Sequence, residues 1–118
     1  MTTDAEREGA RVRVWTVDLD AAPDVVARAA DVLDEGELAR AGRLRDAWAR
    51  RRWTVAHGAL REILSACVGV DAGDLEFETG SSGKPALRAP SAERVRFNLA
   101  HSGAVALVAV CADYDVGV

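Results

Sequence analysis

The sequence is short of most residues that announce a chemistry. It has two cysteines, Cys67 and Cys111, and they are far apart. Without CxxC spacing they suggest neither a zinc site nor a disulfide framework, and two thiols of this kind fit a reducing, cytoplasmic setting. The longest apolar run, Ala104 to Ala112, is far below the roughly 20 residues of a membrane span. Met1 to Ala10 is charged and lacks the apolar core of a signal peptide. Positive charge is not in excess either. A formal net charge of −4 argues against a general nucleic-acid binder, although local basic patches can still hold phosphates. No repeat, low-complexity tract or P-loop spacing occurs.

What remains is an ordinary soluble composition. The 118 residues are 49% hydrophobic and 29% charged, enough to bury one core. Residues 1–10 show no apolar periodicity and read as a disordered lead-in; residues 11–118 form the folded unit. Arg11 to Asp18 alternates Val12, Val14 and Thr16 against Trp15 and Val17, a strand with burial on both faces. Pro23 suits a first helical turn, and Val25, Val26, Ala29, Val32 and Leu33 predict a helix over Asp24 to Leu33. Leu38, Ala41, Leu44 and Trp48 predict a second from Glu35 to about Ala49. Val55, Ala56, Ala59, Leu60, Ile63, Leu64 and Cys67 define the clearest helix, which Gly69 ends.

Strands follow. Leu75 and Phe77 alternate with Glu76 and Glu78, Thr79 to Gly83 is a turn, and Lys84 to Leu87 is extended because Pro85 restricts the residue before it. Val95 to Leu99 and Ala104 to Cys111 are strands joined by a His101-Ser102-Gly103 turn. Asp113 to Asp115 reads as a turn and Val116 to Val118 as the start of another strand. The expected fold is α+β, with helices packed on a small, largely antiparallel sheet.

Three features carry candidate chemistry. Arg40, Arg43, Arg45, Arg50, Arg51 and Arg52 lie in one stretch with a single acid, Asp46. A guanidinium fork matches phosphate oxygens, though such a run can equally be a solvated helix face. Gly83-Lys84-Pro85 sets a cation on a stiffened segment, which turn chemistry alone also explains. Asn98, His101 and Ser102 offer hydrogen-bonding groups between two apolar runs, and a turn histidine satisfied by backbone is the bland alternative. Adjacent Ser102 and His101 diverge, so a nucleophilic triad is not supported. His57, within a packed helix, reads as structural, as do Trp15, Trp48 and Trp53.

Taken in order, Arg50-Arg51-Arg52, Leu60-Arg61, Gly83-Lys84-Pro85, Phe97-Asn98-Leu99-Ala100-His101-Ser102, the apolar Ala104 to Cys111 and Val116-Gly117-Val118 resemble the N-terminal half of a surfactin-type 4′-phosphopantetheinyl transferase. The resemblance implies one half of a pseudo-dimer. The enzyme moves the phosphopantetheine arm of coenzyme A to a serine of an acyl or peptidyl carrier protein, in polyketide, nonribosomal peptide or fatty acid biosynthesis. It implies that Gly83, Lys84 and Pro85 line the adenine and ribose end of coenzyme A. His101, Arg52 and Arg40 would approach the 3′-phosphate, with Asn98, Ala100 and Ser102 beside them.

Two departures qualify it. Ala100 stands where the family usually has Ser, removing a hydroxyl worth about 0.5–1.5 kcal/mol. The family's Asp-x-Glu, which holds Mg²⁺, would begin after Val118. No metal ligand or catalytic residue is therefore assigned in this chain, which is expected to be inactive alone and to need the missing half or to self-associate. The alternative is a non-catalytic module binding coenzyme A, a nucleotide or a carrier protein. Neither nucleic acid nor membrane is an expected partner.

Overall fold

The computed structural model of the chain describes residues 2–7, 10–79, 85–88 and 95–112. In chain order these form β1 (Thr2–Arg7), β2 (Ala10–Asp18), α1 (Pro23–Asp31), α2 (Glu35–Gly42), α3 (Ala47–Val68), a 3₁₀ turn (Ala72–Asp74), β3 (Phe77–Thr79), β4 (Pro85–Leu87), β5 (Val95–Ser102) and β6 (Val105–Ala112). The main sheet runs β1-β2-β6-β5, with every neighbouring pair antiparallel. β3 and β4 form a separate two-stranded ribbon. The three helices pack on this sheet, so the fold is α+β, as the periodicities indicate.

Alternation along the strands sorts the sheet into two faces. Trp15 and Val17 of β2, Phe97 and Leu99 of β5, and Val108 and Val110 of β6 join Leu60 and Leu64 of α3 in the principal core. Beside it Leu19, Val55, Ala56 and Ala106 form a second cluster. On the opposite face Val12 and Val14 pack against the fully buried Ala109 and Cys111. β2 is thus partly buried on both sides, as its sequence predicts, although Thr16 is exposed.

The 22-residue α3 is about 33 Å long at 1.5 Å per residue and is the spine of the domain. Gly69, in the left-handed conformation at φ 74°, caps it, which costs glycine no steric penalty. Its N-terminus corrects one expectation: the single helix over Glu35 to Ala49 is two. Asp46 turns the chain and its side chain accepts a hydrogen bond from the Trp48 N–H at 3.1 Å. Arg50 then donates from Nη1 to the Leu44 and Arg45 carbonyls at 2.6 and 3.0 Å. The carbonyls that a broken helix leaves unpaired are satisfied across the break.

Two further differences concern strands. Thr2–Arg7 pairs with β2 as β1, where composition indicates a lead-in without structure. Hairpin pairing is made by backbone groups, so it leaves little trace in apolar periodicity. At the other end His101 and Ser102 belong to β5, paired with Ala106 and Val105. The turn is only Gly103-Ala104, with Gly103 at φ 59°, the left-handed geometry a tight hairpin demands. The turn and strand expected over residues 113–118 lie outside the described residues. Among the described residues no helix is long and apolar enough to cross a membrane.

Candidate functional site

α2 begins with a reciprocal capping box. Asp34 Oδ1 accepts from the Glu37 N–H at 2.8 Å, and Glu37 Oε1 accepts from the Asp34 N–H at 3.0 Å. The same two acids receive Arg61 of α3, which is fully buried. Its Nε donates to Glu37 at 2.7 Å, its Nη2 to Asp34 at 3.1 Å, and its Nη1 to the Ala72 and Leu75 carbonyls at 2.8 and 2.9 Å. One arginine therefore fixes α2 against α3 and the 3₁₀ turn.

Between α2, α3 and the β5 edge lies a cleft of about 640 Å³. Arg40 of α2 and Arg43 at its C-cap line it, with Trp53 and His57 from α3 and Asn98 and His101 from β5, over a floor that includes Leu60, Phe77 and Phe97. Cations on one wall and stacked rings on another suit an anion joined to a flat heterocycle.

Trp53 and His57, one helical turn apart, stack with ring centroids 3.8 Å apart and planes 21° apart. Burial, with smaller contributions from His101, Arg40 and Arg61 nearby, pushes His57 down from 6.5 to about 4. It is neutral at pH 7. The unfolded chain thus binds more protons between pH 6.5 and about 4, so stability falls as pH falls through that window. Between pH 7 and 5 the expected loss from this residue is about 2 kcal/mol. Urea melts of wild type and His57→Gln at the two pH values check this; the variant loses correspondingly less.

Of the residues singled out from the sequence, the structure gathers Arg40, Arg43, Asn98 and His101 along the cleft, although by strand alternation the Asn98 side chain shares the face of Ala100 and Ser102 and not that of His101. Arg52 is not among the lining residues. It is ion-paired to Asp20, with Nε 2.8 Å from Oδ1, and the hydrogen bond holds the Asp20 carboxyl below its usual range. Ala100 and Ser102 pair with Leu107 and Val105 and, by strand alternation, lie on the opposite face of the sheet from His101. Pro85 opens β4 opposite Thr79, while Gly83 and Lys84 lie outside the described residues. Sequence reasoning placed Arg43 in the arginine-rich stretch without carrying it to the coenzyme A site, and treated Trp53 and His57 as structural. Trp53, His57 and Leu60 follow i, i+4, i+7 spacing, which places them on one stripe of α3.

The magnesium implied by the resemblance finds no fitting donor set here. Among the described residues no group of three or more His, Cys, Asp or Glu side chains stands together, and the acids lining the cleft, Asp34 and Glu37, are held by Arg61.

A three-helix layer on an antiparallel sheet, with a cleft at the sheet edge lined by Arg40, Arg43 and His101, defines this as an α+β domain. No family model matches the chain. Among known proteins it is similar to a 4′-phosphopantetheinyl transferase, in agreement with the motif order. That relative is HetI of Nostoc sp., 39% identical over 108 residues, which are 91% of this chain and 46% of HetI. The chain thus spans about half the length of the curated relative it matches, and the two are related over nearly all of the present sequence.

Proposed function

We propose that this chain supplies the coenzyme A-binding part of a 4′-phosphopantetheinyl transferase. The observation that carries the reading is the convergence of Arg40 and His101 on one cleft, from elements far apart in sequence, beside the Trp53–His57 stack. Arg40, Arg43 and His101 would hold phosphate oxygens through charge-assisted hydrogen bonds. Lys84 and Pro85 would reach the adenine and ribose end. In the reaction, a carrier-protein serine takes the phosphopantetheinyl group and adenosine 3′,5′-bisphosphate leaves.

Phosphoryl transfer requires charge neutralisation by a metal, which the acids of this cleft do not provide. Magnesium ligands and the base are accordingly assigned to the remaining half of the enzyme, and the chain alone binds without turnover. Val105 and Leu107, exposed on the sheet face away from the helices, are candidates to be covered by that half or by a second copy. The sparse, widely separated Cys67 and Cys111 accord with a cytoplasmic setting.

Calorimetry with coenzyme A and adenosine 3′,5′-bisphosphate tests the reading. Both ligands should bind the wild-type chain, and His101→Ala and Arg40→Ala should each weaken binding about tenfold or more, the worth of a hydrogen bond to a charged group. Unchanged affinity in both variants would place the ligand elsewhere and overturn the assignment.

A further inference from the structure

His57 is a half-buried titratable group of the cleft that the reading above does not require. It faces the same cavity as His101, one histidine projecting from α3 and the other from β5. We propose that His57 and His101 together form a two-histidine phosphate site, in which the anion is bound along with a proton taken up on His57. The proposal rests on the cleft assigned above to the phosphates of coenzyme A, and it adds a proton-linked residue to that cleft.

The surroundings of His57 support the linkage. Arg40 of α2 and Arg43 at its C-cap face the cleft, Arg61 and Trp53 flank His57 on its own helix, and His101 faces it from β5. Asp34 and Glu37 also line the cleft; Arg61 offsets one of their two negative charges, and Arg40 and Arg43 leave the lining net positive. In the empty cleft, burial and these cations therefore keep the imidazole neutral. A phosphate reverses the balance, since a nearby opposite charge favours the protonated ring. The indole of Trp53 at 3.8 Å favours it too, because an imidazolium over an aromatic face gains a cation–π attraction. The proton comes from solvent to the free ring nitrogen of His57, and no bond of the anion breaks. A neutral His57 also lowers the electrostatic cost of assembling the empty site.

Sulfate is the discriminating probe, because it stays dianionic across the working pH range and brings no proton of its own. The chain has two histidines, so their ring NMR signals in the full chain can be titrated separately, with His57→Gln to assign them. Saturating sulfate should raise the His57 midpoint from near 4 by about one to three pH units. Sulfate should bind roughly tenfold more tightly at pH 5 than at pH 7 in excess of the dependence left in His57→Gln. The proposal is overturned if sulfate binds and moves only His101, or if the folded chain binds none.

Adenosine 3′,5′-bisphosphate, titrated in parallel, separates the two readings. If it binds no more tightly than sulfate while both ions shift His57, the coenzyme A assignment falls and the two-histidine site stands. Tight bisphosphate binding with His57 unmoved gives the reverse.

Discussion

Arg61→Leu is expected to lose about 3–5 kcal/mol of stability, the cost of removing one partner from a buried ion pair. Against the roughly 5–15 kcal/mol that holds a typical domain together, that is enough to unfold much of the population. Leucine has the volume to fill part of the space, so the loss is not mainly a cavity. It comes from what the guanidinium leaves behind: the Glu37 and Asp34 carboxylates and the Ala72 and Leu75 carbonyls. Glu37 is the costlier of the acids, being 19% exposed against 56% for Asp34.

Phe77 also loses the cation 5.1 Å from its ring centroid. Arg61→Lys should recover only part of the deficit, since an ammonium cannot span two acids and two carbonyls in one plane. Urea denaturation followed by circular dichroism measures both variants. A loss below about 1 kcal/mol in Arg61→Leu would mean that the carboxylates find water and that the clamp carries little stability.

Gly58→Ala should destabilise although alanine is the better helix former by about 1 kcal/mol. A Cβ at position 58 would lie 2.6 Å from the Ala29 Cβ, 2.8 Å from its Cα and 2.9 Å from its carbonyl oxygen. Two of these three atoms are backbone, so no rotamer change relieves the clash and α1 must move away from α3. Overpacking of this kind typically costs about 1–3 kcal/mol, which outweighs the propensity gain. Gly58→Val should cost more, and Ala29→Gly should rescue Gly58→Ala only partially, because the backbone contacts persist. Thermal melts of the single and double variants decide it; a more stable Gly58→Ala would show that the helices separate freely.

How much of this was legible in the sequence depended on whether a feature is set by local spacing or by a distant partner. α3 and the β5–β6 pair follow from apolar period and from Gly69 and Gly103, whose conformations are local necessities. The break at Asp46 was hidden because Leu38, Ala41, Leu44 and Trp48 keep a helical period across it, and the competing signal is one capping side chain. β1 was hidden because backbone pairing needs no apolar pattern.

In the site, Arg40 and His101 were singled out through the motif resemblance. Arg52 was chosen on the same ground, yet its fork is held by Asp20, a partner that no local pattern reveals. Asn98, Ala100, His101 and Ser102 read as one loop cluster, but a strand sends neighbouring side chains to opposite faces and divides them. Trp53 and His57 were visible as an apolar-spaced pair on a helix; only the packing of α2 and β5 turns that stripe into a cleft wall.

The pairing of β2 with β6 sets the order in which this molecule can assemble. Val12 sits opposite Cys111 and Asp18 opposite Val105, so the central seam of the sheet joins segments almost the whole chain apart. The three helices close by local contacts and can form early, but the surface they rest on is absent until β6 is made. During synthesis α3 would emerge with Leu60 and Leu64 still uncovered and β2 with an open edge. Folding is then limited by closure of one long loop, the slow step of high-contact-order topologies. The same interval is when an unpaired strand is most prone to join another chain.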